Sequence, residues 1–334
     1  MNVLSLFDGM SCGMIALERA GIKVDYYFAS EIDKHATKVS QHNYPNIIQL
    51  GDVATVSYKD GILTSEKGSW DVGNINLLLA GSPCQGFSLA GKQLAFDDDR
   101  SKLYFEFERI LKEVNPTYFL LENVQMKKEY KDVISERLGV KPVAINSNLV
   151  SAQNRYRLYW TNIPHVQQPK DLGITLVDIL EKEIEEKYFI KAGRLNWLKE
   201  FGEVKEQKGY VAFNPTKAKC LTVRLEPSLN TTYILQWPHG TNKGGYRGLD
   251  GKVPTLTTSS WESNNYLLNN GDVRKLTPIE CERLQTVPDN YTSCVSDTQR
   301  YKMLGNGWTV DVIAHILQNL NEVRNYLGDI NEPV

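Results

Sequence analysis

Short apolar runs alternate with helically spaced apolar positions along the first third of the chain. Runs at 2–7, 24–30, 47–50, 75–80 and 118–121 predict strands, and the INLLLA run at 75–80 reads as a fully buried strand. Between them, 13–20, 34–42 and 101–114 predict helices, the last with Phe105, Ile110 and Leu111 among its apolar positions. Strand and helix in strict alternation predict an α/β fold, a mostly parallel sheet with helices on both faces. Ligands of such sheets bind at the carboxyl ends of the strands.

A further strand is expected at 158–162, and the rhythm breaks near residue 186. Residues 187–270 hold Thr/Gly/Pro/Asn-rich turns, a helical stretch at 195–201 and short strand-like pieces such as 220–224 and 255–258. They predict a smaller strand-and-loop domain inserted between two parts of the first, 1–186 and 271–334. Helical spacing returns at 278–284 and 309–320, where Val312, Ile313, Ile316, Leu317 and Leu320 share one face.

The chain has 334 residues, 41% of them apolar, and a net charge of -2, which excludes a disordered chain. No apolar run approaches the roughly 18 residues of a membrane span, and the first residues lack the basic start of a signal peptide. Five scattered cysteines without CxxC and five histidines without HExxH argue against disulfides and metal, and point to a reducing cytoplasm. The near-neutral charge is an average over unlike parts. Residues 187–260 carry twelve Lys and Arg against five Asp and Glu, a basic surplus suited to a polyanionic partner.

Candidate chemistry gathers where the strands stop. Phe7-Asp8-Gly9-Met10-Ser11-Cys12-Gly13 is a glycine turn opening a helix, Glu31 closes the second strand, and Gly51-Asp52-Val53 follows the third. Each has a bland reading as a solvated end, but three polar stops in order suit an adenosine-bearing cofactor. Cys84 follows a buried strand and a Gly-Ser-Pro turn, which puts its thiol at the ligand edge and not in the core. Residues 85–100 form a polar loop long enough to close over a site. Glu122 ends another apolar run, where a carboxylate needs a partner or a proton. Arg155 and Arg157, two apart, point to one face of an extended segment.

These residues, in this order, resemble the C5-cytosine DNA methyltransferase family. Phe7-x-Gly9, Glu31 and Asp52 fit its cofactor motifs, Pro83-Cys84-Gln85 its nucleophile motif, and Glu122-Asn123-Val124 and Gln153-x-Arg155-x-Arg157 the two that follow. The stretch from Arg274 through Pro278, Glu280, Arg283 and Leu284, and Gly305-Asn306 in LGNGW, complete the series. The FDGxxxG form, KLYFEF, FLLENV, VSAQNR and Trp308 look like the eukaryotic de novo enzymes, while the long 187–270 segment without reader domains suggests a bacterial or phage setting.

The resemblance implies S-adenosyl-L-methionine as cofactor, S-adenosyl-L-homocysteine as product, and no metal. Glu31 would take the ribose hydroxyls, Asp52 the adenine amino group and Val53 a backbone contact, with Phe7 and Ile32 packed on adenine. Asp8, Gly9, Met10, Ser11, Ser82, Pro83, Leu103, Asn306 and Gly307 would complete the pocket. Cys84 would add to carbon 6 of a cytosine flipped out of the duplex, since carbon 5 alone is a poor nucleophile. Glu122 would protonate N3, its burial favouring the acid form, and Arg155 and Arg157 would hold the base and phosphate. Gln85 or Ser88 would fill the vacated space, Asn123 would orient the neighbouring turn, and Gln153, Arg247 and Thr255 would contact the substrate. Double-stranded DNA is the expected partner of a monomer, with a cognate restriction endonuclease left open. A tRNA cytosine methyltransferase and a catalytically silent DNA-binding regulator are the alternatives.

Overall fold

The computed structural model describes residues 1–82, 102–189, 233–236, 245–247, 253–255, 266–269 and 272–330. The chain begins β1 (Asn2–Leu6), α1 (Cys12–Arg19), β2 (Tyr26–Ser30), α2 (Lys34–Asn43) and β3 (Ile48–Gln49). Next come β4 (Ser57–Lys59), β5 (Ile62–Ser65), β6 (Gly68–Asp71), β7 (Leu77–Gly81), α3 (Lys102–Val114), β8 (Tyr118–Val124) and α4 (Lys128–Leu138). β9 (Val143–Asn146), β10 (Gln153–Asn154), β11 (Tyr156–Thr161) and the short helix α5 (Leu176–Ile179) follow. The later chain contributes β12 (Tyr233–Gln236), β13 (Gly245–Arg247), β14 (Val253–Pro254), β15 (Tyr266–Asn269) and β16 (Asp272–Lys275). Helices α6 (Pro278–Leu284), α7 (Asp297–Asn306) and α8 (Val310–Ile330) close it.

Among the described residues seven strands join in the order β3-β2-β1-β7-β8-β11-β9. β1, β2, β3, β7 and β8 are parallel, and β11 runs antiparallel to both β8 and β9. This is the mostly parallel α/β sheet that the alternation predicts. Strand order steps outward from β1 to β3, then restarts with β7 on the other side of β1. The carboxyl ends of β1 and β7 therefore flank the topological switch point, where a ligand crevice opens.

Side chains alternate across the pleat, so each strand feeds two cores. Val3, Leu77, Leu79, Leu120 and Tyr159 pack with α1 and α8, whereas Leu4, Leu6, Leu78, Ala80, Leu121 and Trp160 pack with Tyr104, Phe107 and Ile110 of α3. α8 presents the predicted face: Val312, Ile313, Ile316, Leu317 and Leu320 are all buried, against Ile15, Ala16 and Leu17 of α1 in the same core. The last part of the chain thus finishes the core that the first part starts.

Some elements differ from expectation. β4, β5 and β6 form a small antiparallel sheet between β3 and β7 that the strand–helix reading passes over. Its first turn, Asp60-Gly61, has φ of 52° and 84°, the two positive values of a type I′ hairpin. Arg109 of α3 braces this sheet by donating to Val56 O at 2.8 Å. β12, β13, β15 and β16 make a four-stranded antiparallel sheet, and β14 pairs in parallel with β10. The expected helix at 195–201, the piece at 220–224 and most of 255–258 lie outside the described residues. Among the described residues no helix is long and apolar enough to cross a membrane.

Because α8 and α1 share one core, Ile316→Ala is expected to lower unfolding free energy by about 2–5 kcal/mol in a single urea transition, the usual cost of such a cavity. Val177→Ala, at a position 66% exposed, is expected to change it by less than about 0.5 kcal/mol. Equal effects of the two, or a separate early transition for Ile316→Ala, would contradict the shared core.

Candidate active site

The turn after β1 takes a shape that few residues adopt. Phe7, Gly9 and Ser11 have φ of 57°, 62° and 64°, so the backbone enters the left-handed region three times in five residues. For Phe and Ser that conformation is uncommon and needs support from its surroundings. Asp8 supplies it from beneath. Its N–H donates to Ser30 O at 3.1 Å, and its carboxyl accepts from Ser11 Oγ at 2.5 Å and Tyr27 OH at 2.7 Å. Ser11 Oγ also lies 2.7 Å from Ser40 Oγ on α2. Burial pushes the Asp8 carboxyl up to about 6, against hydrogen bonds from Ser11, Ser5 and Tyr27 that pull it down. Met10 and Ser11 are likewise buried, so their side chains shape the turn from below.

Above the turn the crevice is open. A Cβ on Gly9 would meet nothing within 4 Å. Glu31 ends β2 with its carboxylate on backbone donors: Oε2 accepts from Gly9 N at 2.8 Å, and Oε1 from Ile32 N at 2.9 Å and Asp33 N at 2.8 Å. Ile32 is 77% exposed at the rim. Phe7 and Leu103 are half-buried against the α3 core. Asp52 caps a short 3-10 turn by accepting from Ala54 N at 3.0 Å, and Val53 beside it is buried. Bare backbone, two carboxylates and a partly exposed apolar rim fit a nucleoside with hydroxyl and amine donors.

The second group forms where β7 ends. Glu122 of β8 pairs with Gly81 of β7 and with Tyr159 of β11. It is buried, and its Oε1 lies 2.9 Å from Arg157 Nε. Trp308 Nε1 donates to its Oε2 at 3.3 Å. Asn123 is buried beside it and donates from Nδ2 to Ser82 Oγ at 3.0 Å, which fixes the last described residue of the strand end. Pro83, Cys84, Gln85, Ser88 and the loop 85–100 lie outside the described residues. Of the cysteines described, Cys12 and Cys281 are buried, and burial pushes their thiols up to about 12 and well above the usual range, unfit as nucleophiles.

The two arginines do different work. Arg155 is buried and donates to Gly305 O at 3.2 Å and Gly307 O at 3.0 Å. Gln153 is fully buried and donates to Leu284 O at 3.1 Å, which ties β10 to α6 and leaves its side chain away from any open surface. Asn306 is exposed, and Gly307 packs so closely on Met303 O that a Cβ would stand 3.1 Å from it. Thr255 donates through Oγ1 to Asn154 O at 2.5 Å, and Arg247 ends β13. The stretch after residue 273 is built on a buried pair, Arg274 to Glu280 at 2.7 Å, at the start of α6. Sequence reading assigned no task to Trp308 or to Gln285, whose Nε2 donates to Leu304 O at 2.5 Å and to Gly307 O at 3.2 Å. Their partners are remote in sequence, and only the LGNGW motif around Trp308 drew notice to it. Among the described residues no group of three or more His, Cys, Asp or Glu is placed to hold a metal.

Fold and crevice together define an α/β enzyme with its site at the carboxyl edge of a parallel sheet. Residues 1–322 match the sequence profile of the family described as C-5 cytosine-specific DNA methylase, and the chain belongs to that family. It is 30% identical to the type II methyltransferase M1.ScrFI of Lactococcus lactis subsp. cremoris, over 96% of this chain and 78% of that protein. It is 29% identical to the type II methyltransferase M.HpaII of Haemophilus parainfluenzae, over 93% of this chain and 86% of that protein. Its fold is shared by the methyltransferase EhMeth of Entamoeba histolytica, with a TM-score of 0.67 at 17% identity over 97% of this chain and 98% of that one.

Asp8 ionises near 3.8 unfolded and at about 6 folded, so the folded state holds the extra proton between those values and stability falls as pH rises through them. Asp8→Asn is expected to remove that slope. The stability of the wild type relative to the variant, from urea titrations between about pH 4 and pH 7, should decline up to about pH 6 and then level. A flat difference would show that Asp8 ionises normally.

Proposed function

We propose that this protein transfers a methyl group to carbon 5 of a cytosine flipped out of duplex DNA, through an adduct between Cys84 and carbon 6. The observation that carries the reading is Glu122, buried at the carboxyl edge, held by Arg157 and paired with Gly81, which in sequence precedes Cys84 by three residues. When bound, S-adenosyl-L-methionine supplies an electrophilic methyl group and departs as S-adenosyl-L-homocysteine. Glu31 and Asp52 hold its ribose hydroxyls and adenine amino group, with Phe7, Ile32 and Leu103 around the ring and Gly9, Ser82, Pro83, Asn306 and Gly307 along the rest. A carboxylate offers about four acceptor sites, and three backbone donors occupy Glu31, so one remains for a hydroxyl.

The Cys84 thiolate adds to carbon 6, and its electron pair pushes density toward carbon 5 and N3. Glu122 gives N3 its proton, so no bare negative charge builds up on the ring. After methylation a base takes the carbon 5 proton, Cys84 leaves as thiolate as the 5–6 double bond re-forms, and N3 returns its proton to the Glu122 carboxylate. Arg157 keeps Glu122 in place, Arg155 braces the 305–307 backbone, and Asn123 fixes Ser82 before the nucleophile turn. On this reading Gln85 or Ser88 fills the gap that the flipped base leaves in the duplex.

Residues 187–270 form the target-recognition domain, with Arg247 and Thr255 at the DNA. The basic surplus there favours the phosphate backbone, so binding weakens steeply with salt. The type II names of two relatives favour a restriction–modification setting in a bacterial or phage-infected cytoplasm, with the protein acting as a monomer.

The purified protein is expected to move labelled methyl from S-adenosyl-L-methionine onto duplex DNA. Labelling of tRNA in place of DNA would overturn the substrate. On duplexes containing 5-fluorocytosine, whose fluorine no base can remove, the wild type is expected to form a covalent complex and Cys84→Ala none. A complex that persists in the variant would assign the nucleophile elsewhere. Methylation-sensitive sequencing of host DNA after expression identifies the site used in such duplexes.

A further inference from the structure

The indole of Trp308 sits in a hollow that two glycines leave for it. A Cβ on Gly81 would stand 2.7 Å from Trp308 Nε1, and one on Gly13 would stand 3.6 Å from its Cζ3. Trp308 therefore lies between the end of β7 and the start of α1, buried, with its N–H directed at Glu122 Oε2 at 3.3 Å. Its backbone is anchored on both sides. Arg155 and Gln285 hold Gly307 O, and Thr309 Oγ1 donates to Gln285 Oε1 at 2.9 Å.

We infer that Trp308 is a positioning residue for the methyl-transfer reaction, which aims the Glu122 carboxyl through its indole N–H. The inference rests on the role proposed for Glu122 as proton donor to cytosine N3. Arg157 holds Oε1 and Trp308 holds Oε2, so rotation of the carboxyl about its own axis is blocked at both oxygens. The indole is a donor only and cannot take a proton. A proton on Oε2 is therefore turned away from the indole and toward the open crevice, where the base would lie. Among the described residues, Arg157 is ion-paired with Glu122, and Tyr159, its partner on β11, lies close enough to feel its charge. Trp308 adds a neutral donor from a different segment of the chain. Arg155 acts on the same point indirectly, since it fixes the loop that presents the indole.

The test uses the full-length protein, a duplex carrying its sequenced site, and single-turnover rates. Trp308→Phe keeps a ring in the hollow and removes the N–H. Loss of a hydrogen bond to a carboxylate is expected to lower the methylation rate about tenfold. KM for DNA and for S-adenosyl-L-methionine should stay within about twofold, as for an interaction realised in the transition state. Gly81→Ala, which retains Trp308 and pushes its Nε1 away, should give the same rate loss with KM equally unmoved, and decides the matter if Trp308→Phe does not fold. In a Glu122→Gln background either change should have no further effect on rate. An equal tenfold loss in that background, or a loss carried by KM, would reduce Trp308 to packing. Full activity of Glu122→Gln by itself would instead overturn the role of Glu122.

Discussion

A carboxylate buried at the end of a parallel sheet cannot stand alone. Removing such a charge from water costs several kcal/mol, and only close, well-directed partners offset that. Glu122 meets this condition through one cationic and one neutral donor, and much of the architecture is arranged to deliver them. β11 must run antiparallel beside β8 for Arg157 to reach Oε1 from the neighbouring strand. The return segment must cross behind β7 for Trp308 to reach Oε2. Arg155 and Gln285 then grip carbonyls of the 304–307 turn, groups that would otherwise be buried without donors.

The cofactor side obeys the same rule. The left-handed turn at Phe7, Gly9 and Ser11 directs the Gly9 N–H at Glu31, and the carboxylate in return fixes the turn. Asp8 does the equivalent from the core, with Tyr27 and Ser11 as its donors. Two carboxyl groups, one above and one below, therefore hold a single loop between them. The upper one faces the crevice and keeps acceptor capacity for a ligand. The lower one is sealed and can only be structural.

The sequence was informative where pattern and position coincide. Apolar runs located β1, β2, β7 and β8, and their last residues located Glu31, Asp52 and Glu122, because a parallel sheet puts every carboxyl end on one edge. The 57–71 hairpin carried its signal in Asp60-Gly61, a dipeptide suited to a type I′ turn, yet its short strands were lost among polar residues. α4 buries only Ile134 completely and α7 has a weak apolar stripe, so neither shows helical periodicity to a reader of the sequence. Gln153 was read as reaching the substrate; its side chain is spent inside, on Leu284 and Gln285, partners more than a hundred residues away. The task of Trp308 was hidden for the same reason, since it depends on glycines at 13 and 81 that mean nothing until the chain closes.

The packing of α8 on α1 sets an order of events during synthesis. The helix that covers α1 is made some three hundred residues after it. At the usual elongation rates of about 5–20 residues per second, the first strand–helix unit waits roughly 15–60 seconds for its cover. During that interval the strands cover one side of Ile15, Ala16 and Leu17, and the side that meets α8 has no helix over it. The clamp on Glu122, which needs Trp308 from the same late segment, cannot assemble before that segment is made. A ribosome-bound fragment that ends earlier therefore carries the turn after β1 without the indole that holds Glu122 Oε2.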